Sequence, residues 1–276
     1  MTVAAEDRPA VADPETARGS GRAARLWSGP AIAAHAFTLM AVAAWWGYAQ
    51  VVPPYQLPGP DVVARRMADF VTTPRLALQL AVSLGHVAAA MTIAFVIGTA
   101  LAVAAYLAPA LRLLVDGRLT PFLNAFSGIG WLFLGILWFG INSVTVVFAV
   151  TLVLMPFAII NVRAGLAELD AELIELGRSL TRSLPRRLAK LVLPQLMPYL
   201  FATLRTSFGV AWKVVLTAEL FGGNAGVGYL LNVARQEFDT ETIFAVILFI
   251  LLFVALAESL AFRPAQRRLD RRYGRG

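Results

Sequence analysis

The residues able to do chemistry in this chain are ionisable and polar side chains set inside long apolar runs. In the run 195–221, Arg205, Gly209, Trp212, Leu216 and Glu219 recur at spacings of three and four, so they share one face of a helix; Lys213 lies about a quarter turn away. Gln79, Ser83 and His86 align in the same way near the start of another run. In a third, Asn124, Gly128, Trp131, Gly135 and Trp138 form a stripe on one face. Charges at membrane depth are costly and usually face a bundle interior or a watery cavity. The chemistry open to them is non-covalent. Arg205 and Lys213 would lower the desolvation cost of an anion, and the polar and aromatic groups would line its passage. Plainer readings stand beside these. Arg205 and Lys213 can pair with Glu219 or Glu258 or snorkel to the surface. Trp131 can pack, Trp138 can anchor at the interface, and His35 and His86 can be satisfied packing residues.

No covalent or metal chemistry is expected. The chain has no cysteine, no H-E-x-x-H helix motif and no G-x-S-x-G turn. It also lacks G-x-x-x-x-G-K-[ST], so it has no phosphate-cradling loop of its own. The Gly-rich stretch GGNAGVG at 222–228 has the wrong order for a dinucleotide fingerprint. It reads as a turn that permits a short re-entrant helix at the outer mouth.

A different pattern occupies 170–190. Asp170, Glu172, Glu175, Arg178, Arg182, Arg186, Arg187 and Lys190 crowd into it. At about 2.5–3.5 kcal/mol per charge at mid-membrane, they exclude this segment from the bilayer. Leu173, Leu176, Leu180, Leu184 and Leu188 nevertheless recur at helical spacing, with Glu172, Glu175, Arg178, Ser179 and Arg182 off that face. Asp170 suits a helix start. Pro185 should break the pattern into two short helices, and Pro194 and Pro198 should mark the start of the next span. A helix with one leucine face and one charged face calls for a protein partner; lying on the membrane surface is the alternative.

The elements that position these groups follow from composition. The 276 residues are 58% hydrophobic and only 15% charged, against about a quarter in soluble domains. Several runs reach the roughly 20 residues that a transmembrane helix needs. The expectation is an all-α membrane protein with six spans at 30–52, 76–107, 121–140, 143–163, 195–221 and 242–262. Residues 1–29 read as a disordered cytoplasmic tail rather than a cleaved leader, 30–262 as the transmembrane domain with a loop over about 164–194, and 263–276 as a basic cytoplasmic tail. Lys and Arg orient the bundle: of 24, only Arg65, Arg66, Arg75 and Arg235 fall on the side opposite the termini, so both termini and the charged segment are placed in the cytoplasm. This bias explains the net charge of +7 without nucleic acid. Residues 53–75 begin Pro-rich and then read as an amphipathic helix on the outer surface, with Val62, Val63, Met67 and Phe70 on one face.

At the charged segment the sequence resembles the permease subunits of bacterial ATP-binding-cassette importers. Their signature runs Glu-Ala-Ala, three residues, Gly, nine residues, Ile-x-Leu-Pro. Here Glu175-Leu176-Gly177 stands for the first element, Thr181 occupies the Gly position, and Leu191-Val192-Leu193-Pro194 closes the motif with the spacing kept. ILWFGI at 136–141, AELIELGRSL, LVLPQLMPYLFATLR, AWKVVLTAELFG and GVGYLL are similar to the nitrate, sulfonate and taurine branch. The resemblance covers roughly 60–262.

It implies a type I importer bundle in the bacterial inner membrane. It makes Asp170, Glu172, Leu173, Glu175, Leu176, Gly177, Arg178, Ser179, Leu180 and Arg182 a coupling helix for a separate ATPase. The spacing of the polar, ionisable and aromatic residues gives the candidate translocation pathway: Gln79, Ser83, His86, Asn124, Trp131, Gly135, Arg205, Gly209, Trp212, Lys213 and Glu219. The implied partners are a second permease copy, two ATPase subunits and a periplasmic or lipid-anchored solute-binding protein, with lipid around the bundle and no nucleic acid. ATP and Mg²⁺ would sit on the ATPase, leaving this chain with no cofactor and no enzymatic activity. The solute would be a small anion such as a sulfonate, taurine or nitrate, with a neutral or aromatic nutrient as the alternative. The rivals are a proton-coupled secondary transporter using Glu219 or Glu258, and a membrane enzyme.

Overall fold

The computed structural model describes residues 29–169, 175, 179, 183–266 and 268, and every element among them is helical. The chain divides at the Pro60–Asp61 boundary into two compact units. The first holds helix α1 (Gly29–Ala49), a 21-residue helix at the first expected span. Within this unit Trp45 Nε1 donates to the Pro58 carbonyl at 3.1 Å, tying the helix to the Pro-rich stretch after it.

The second unit begins with α2 (Pro60–Thr72), the expected amphipathic helix. Its Val63 and Phe70 are fully buried. Phe70 stacks on Phe249 with ring centroids 5.6 Å apart, so the apolar face is spent on another helix. Next come α3 (Pro74–Leu107), α4 (Pro109–Leu114), α5 (Thr120–Ala125), α6 (Gly128–Phe139) and α7 (Ser143–Ala167). After the charged segment come α8 (Leu184–Arg187), α9 (Leu193–Gly222), α10 (Val227–Gln236) and α11 (Thr240–Ala257). Among the described residues, three helices are long and apolar enough to span a membrane: Pro74–Leu107, Ser143–Ala167 and Thr240–Gln266. The number rises to five if each of two bent pairs counts as one span.

The core is a three-helix contact of α3, α7 and α9. Ala90, Ala94, Gly98 and Ala102 recur every four residues along α3 and are buried. In lipid the apolar drive between helices is weak, and small residues that let backbones approach supply dispersion contacts instead. Ala102, Val162, Leu166, Val192, Leu196 and Leu200 continue this core toward the charged segment.

Two expectations are corrected. The run 121–140 is not one straight span. The chain bends by 85° between Pro109–Ala125 and Gly128–Phe139. Phe126 and Ser127 are extended, and Ser127 Oγ accepts from the Gly130 amide at 3.1 Å, capping a new helix. Asn124 therefore lies on α5 and is separated from the Gly128, Trp131, Gly135 and Trp138 stripe on α6. The second correction concerns the prolines near 190. The pattern is interrupted as expected, non-helical at Ser183 and helical again from Leu184, with Pro185 in the first turn of α8. From there the helix runs on through a π turn (Leu188–Val192) into α9, so Pro194 does not start it.

Two further π turns, Val115–Leu119 and Glu258–Phe262, precede Pro121 and Pro264 in the same register. A helical proline lacks an N–H and its ring collides with the carbonyl four residues back. Widening the preceding turn by one residue is a local solution to both problems.

The α10–α11 turn is held by Asp239. Its carboxylate accepts from the Thr242 amide at 3.0 Å and hydroxyl at 2.6 Å, and from Arg66 of α2 at 3.3 Å. Partial burial opposes ionisation, but these bonds and the Arg66 charge outweigh it and hold the carboxyl below its ordinary range. Asp239→Ala is expected to lower stability in detergent at pH 7 by about 1 kcal/mol. The Asp239 contribution is present above the ordinary carboxylate pKa and is lost as pH falls through the depressed folded value. The gap between the melting curves of wild type and variant should therefore close in strong acid; a gap that widens there contradicts this account.

Candidate functional site

Helix α9 carries three charges, and the structure treats each differently. Glu219 is completely buried near the helix end. Ser83 Oγ lies 2.8 Å from both of its carboxylate oxygens, and His86 Nδ1 lies 2.7 Å from Oε1. The Gly228 amide donates to Oε2 at 2.8 Å. Ser83 Oγ in turn accepts from the Val227 amide at 2.8 Å, and Gln79 Oε1 accepts from the Gly226 amide at 2.6 Å. The first backbone donors of α10, which have no partners within that helix, are thus satisfied by side chains of α3 and α9. A buried carboxylate at a helix start also meets the positive end of its dipole.

The arrangement explains the glycines around it. Gly226 has φ +106°, and a Cβ there would strike the Glu219 carboxylate. At Gly228 a Cβ would meet the Leu216 carbonyl and lie 2.6 Å from Glu219 Cβ. GGNAGVG is therefore a turn into a short helix, as the sequence indicates; α9 and α10 are bent by 50° across it. Sequence reasoning placed Gln79, Ser83, His86 and Glu219 at one end of the bundle but did not join them to the turn. The available signal was an acidic residue at a helix end just before a glycine turn whose amides need acceptors.

Near the middle of α9, Arg205 Nε donates to Glu258 Oε1 at 2.8 Å, and its other nitrogens bond Glu258 and Gln266. Pairing with Glu258 was the plainer of the two sequence readings for Arg205. A cleft there is lined by Pro198, Arg205, Thr206, Gly209, Glu258 and Gln266. Lys213 lies between Arg205 and Glu219 and is exposed, and its ammonium group has no ion-pair or hydrogen-bond partner among the described residues.

Trp131 and Trp212 are buried within the subunit, whereas Trp138 is exposed. Trp212 is buried between Phe208 and Phe253, with centroids 6.3 and 5.1 Å away. Trp131 is buried at the 85° bend, edge-on to Phe122 of α5 and to Phe126. Gly135 lets α6 approach Thr145 and Phe148 of α7. Asn124 is exposed on α5. Of the coupling positions, Glu175 and Ser179 are helical and exposed, one turn apart. Asp170, Glu172, Leu173, Leu176, Gly177, Arg178, Leu180 and Arg182 lie outside the described residues. Among the described residues no group of His, Asp or Glu could hold a metal ion.

Fold and site together define a helical membrane protein of the transport class. The chain belongs to the binding-protein-dependent transport system inner membrane component family, which it matches over residues 94–275. It is 34% identical over 143 residues to the putative aliphatic sulfonates transport permease protein SsuC of Bacillus subtilis, covering 52% of this chain and about half, 49%, of that one. It is 27% identical to the taurine transport system permease protein TauC of Escherichia coli, over 83% of this chain and 86% of that one. Identity to the bicarbonate transport system permease protein CmpB of Synechococcus elongatus is 28% over 61% of each chain. The fold matches a chain of the inward-facing MetNI methionine ABC transporter with a TM-score of 0.61, 19% identity, and coverage of 73% of this chain and 97% of that chain. The protein is thus a permease subunit of the binding-protein-dependent importer family.

Removing Glu219 leaves His86 and the Gly228 amide buried without their acceptor. Glu219→Ala should destabilise the protein by about 3–5 kcal/mol, and Glu219→Gln by less. Gly228→Ala should weaken α10 packing although it adds a single methyl group. Thermal unfolding in detergent checks the order; a Glu219→Ala protein as stable as wild type would show that the buried carboxylate does not hold α10.

Proposed function

We propose that this permease forms, with a second copy of itself, the membrane passage of an importer for a small organic or inorganic anion. The observation that carries the substrate class is Lys213. Arg205 and Glu219 have their charges met inside the subunit, so the exposed Lys213 is the uncompensated charge of α9. An unpaired cation in a spanning helix needs a watery cavity or a counter-charge. Across a two-fold seam, two such lysines would line one passage and lower the desolvation cost of an anion. The relatives named for sulfonate, taurine and bicarbonate transport agree in carrying solutes with an anionic group.

Energy would enter through the segment around Glu175 and Ser179. With no phosphate-binding loop of its own, the chain depends on an ATPase pair that holds ATP and Mg²⁺. Each copy would insert its coupling helix into one cleft of that pair. ATP shifts the passage outward only through its different affinity for the two states of the pair, and hydrolysis resets it. A periplasmic or lipid-anchored binding protein would deliver the solute to the outer face of the inner membrane.

Two substitutions test the two halves of this reading in proteoliposomes of the complete transporter. Glu175→Arg should abolish co-purification with the ATPase and ATP-driven uptake while leaving the permease inserted. Lys213→Ala should keep ATPase binding and cut uptake of an anionic solute such as taurine by about tenfold or more, a loss of roughly 1.4 kcal/mol. Uptake that follows a proton gradient and ignores ATP would favour the secondary-transporter reading instead.

A further inference from the structure

The turn between α10 and α11 displays a feature that the fold does not need. Helix α10 ends with the Asp239 amide bonded to the Ala234 carbonyl at 2.8 Å, a bond from the third residue past the helix back over its last turn. The residue inside that loop is Phe238, with φ +57°, the one non-glycine residue with positive φ among the described residues. Glycine is the default there because it has no side chain to collide with the backbone. The Phe238 ring is also 85% exposed, more than any other large apolar side chain described. An aromatic residue thus occupies a strained backbone position and packs against nothing within the subunit.

The support beneath it is fixed. The Phe238 carbonyl accepts from the Thr240 amide at 3.0 Å. Asp239 caps α11 and binds Arg66 of α2, which also donates to Thr242 at 2.9 Å. The ring is therefore held out on a braced turn, and little backbone freedom remains to be lost on binding. Glu237 and Glu241 flank it, both exposed and without ion-pair partners among the described residues. Arg235 already donates to Asn232 at 3.1 Å. An acidic collar repels anionic lipid headgroups and resists insertion below them. It suits a protein surface instead.

We propose that Phe238 is a pre-set aromatic peg on the outer face, docking the soluble solute-binding protein through an apolar socket with a basic rim. The proposal rests on the importer reading above and on the outward placement of this turn. Buried aromatic anchors carry most of the energy of such interfaces, and a rigid one carries it at low entropic cost.

The complete transporter in proteoliposomes, with its ATPase, is titrated with the solute-binding protein that supports uptake by the wild type, and stimulation of ATP hydrolysis is read. Phe238→Gly keeps the turn and relieves its backbone; Phe238→Ala removes only the ring. Both should raise the half-saturating concentration about tenfold or more. Phe238→Gly should melt at or above the wild-type temperature, which separates lost docking from lost folding. Benzoylphenylalanine at position 238 should crosslink to the binding protein. Half-saturation unchanged in both variants overturns the peg and leaves the importer reading intact. Crosslinking to lipid alone overturns it in favour of a membrane anchor. A wild-type transporter that takes up its solute with no binding protein present overturns the importer reading, and the peg with it.

Discussion

The arrangement of this permease depends on one buried carboxylate. Glu219 sits at the end of α9 with no exposed surface, and it stays there because Ser83, His86 and the Gly228 amide surround it. An unpaired charge in that position would be too costly to keep. The donors come from α3 and from the start of α10, so one side chain joins three helices. In a lipid setting, where apolar contacts between helices gain little, such a polar junction fixes which elements move together.

That junction divides the charges of α9 by role. Arg205, near the middle of the helix, is tied to Glu258 and Gln266, and Glu219, near its end, is tied to α3 and α10. Both are braces. Between them α9 carries Lys213, a cation unmatched among the described residues, and it is this asymmetry that makes an anion the expected cargo. The α10–α11 turn shows the same economy: α2, α10 and α11 are linked through Arg66 and Asp239, and the turn they support holds up an aromatic ring.

Much of this was legible in the sequence. Long apolar runs marked α1, α3, α7, α9 and α11 to within a few residues, because spanning helices must satisfy their own backbone and bury little charge. The common helical end of Gln79, Ser83, His86 and Glu219 was readable from spacing. Their joint partner was not, since nothing in a linear pattern says that three amides of a glycine turn fold back onto them. The third run misled for a related reason: Ser127 is a good helix cap, but in an apolar stretch the periodicity of Gly128, Trp131 and Gly135 extends smoothly back to Asn124 and hides the bend. Pro194 was read as a boundary, whereas a π turn before it, like those before Pro121 and Pro264, keeps the helix continuous. Trp131 and Trp212 carried no sequence signal that separates packing from lining.

The most direct measurement is a structure of the full transporter, permease pair and ATPases in a lipid nanodisc, solved with and without ATP. The account predicts that Glu219, Ser83, His86 and Gly228 keep their contacts in both states while the two Lys213 side chains face a common, water-filled passage whose width changes. A junction that breaks between the states, or lysines that point outward into lipid, would contradict it.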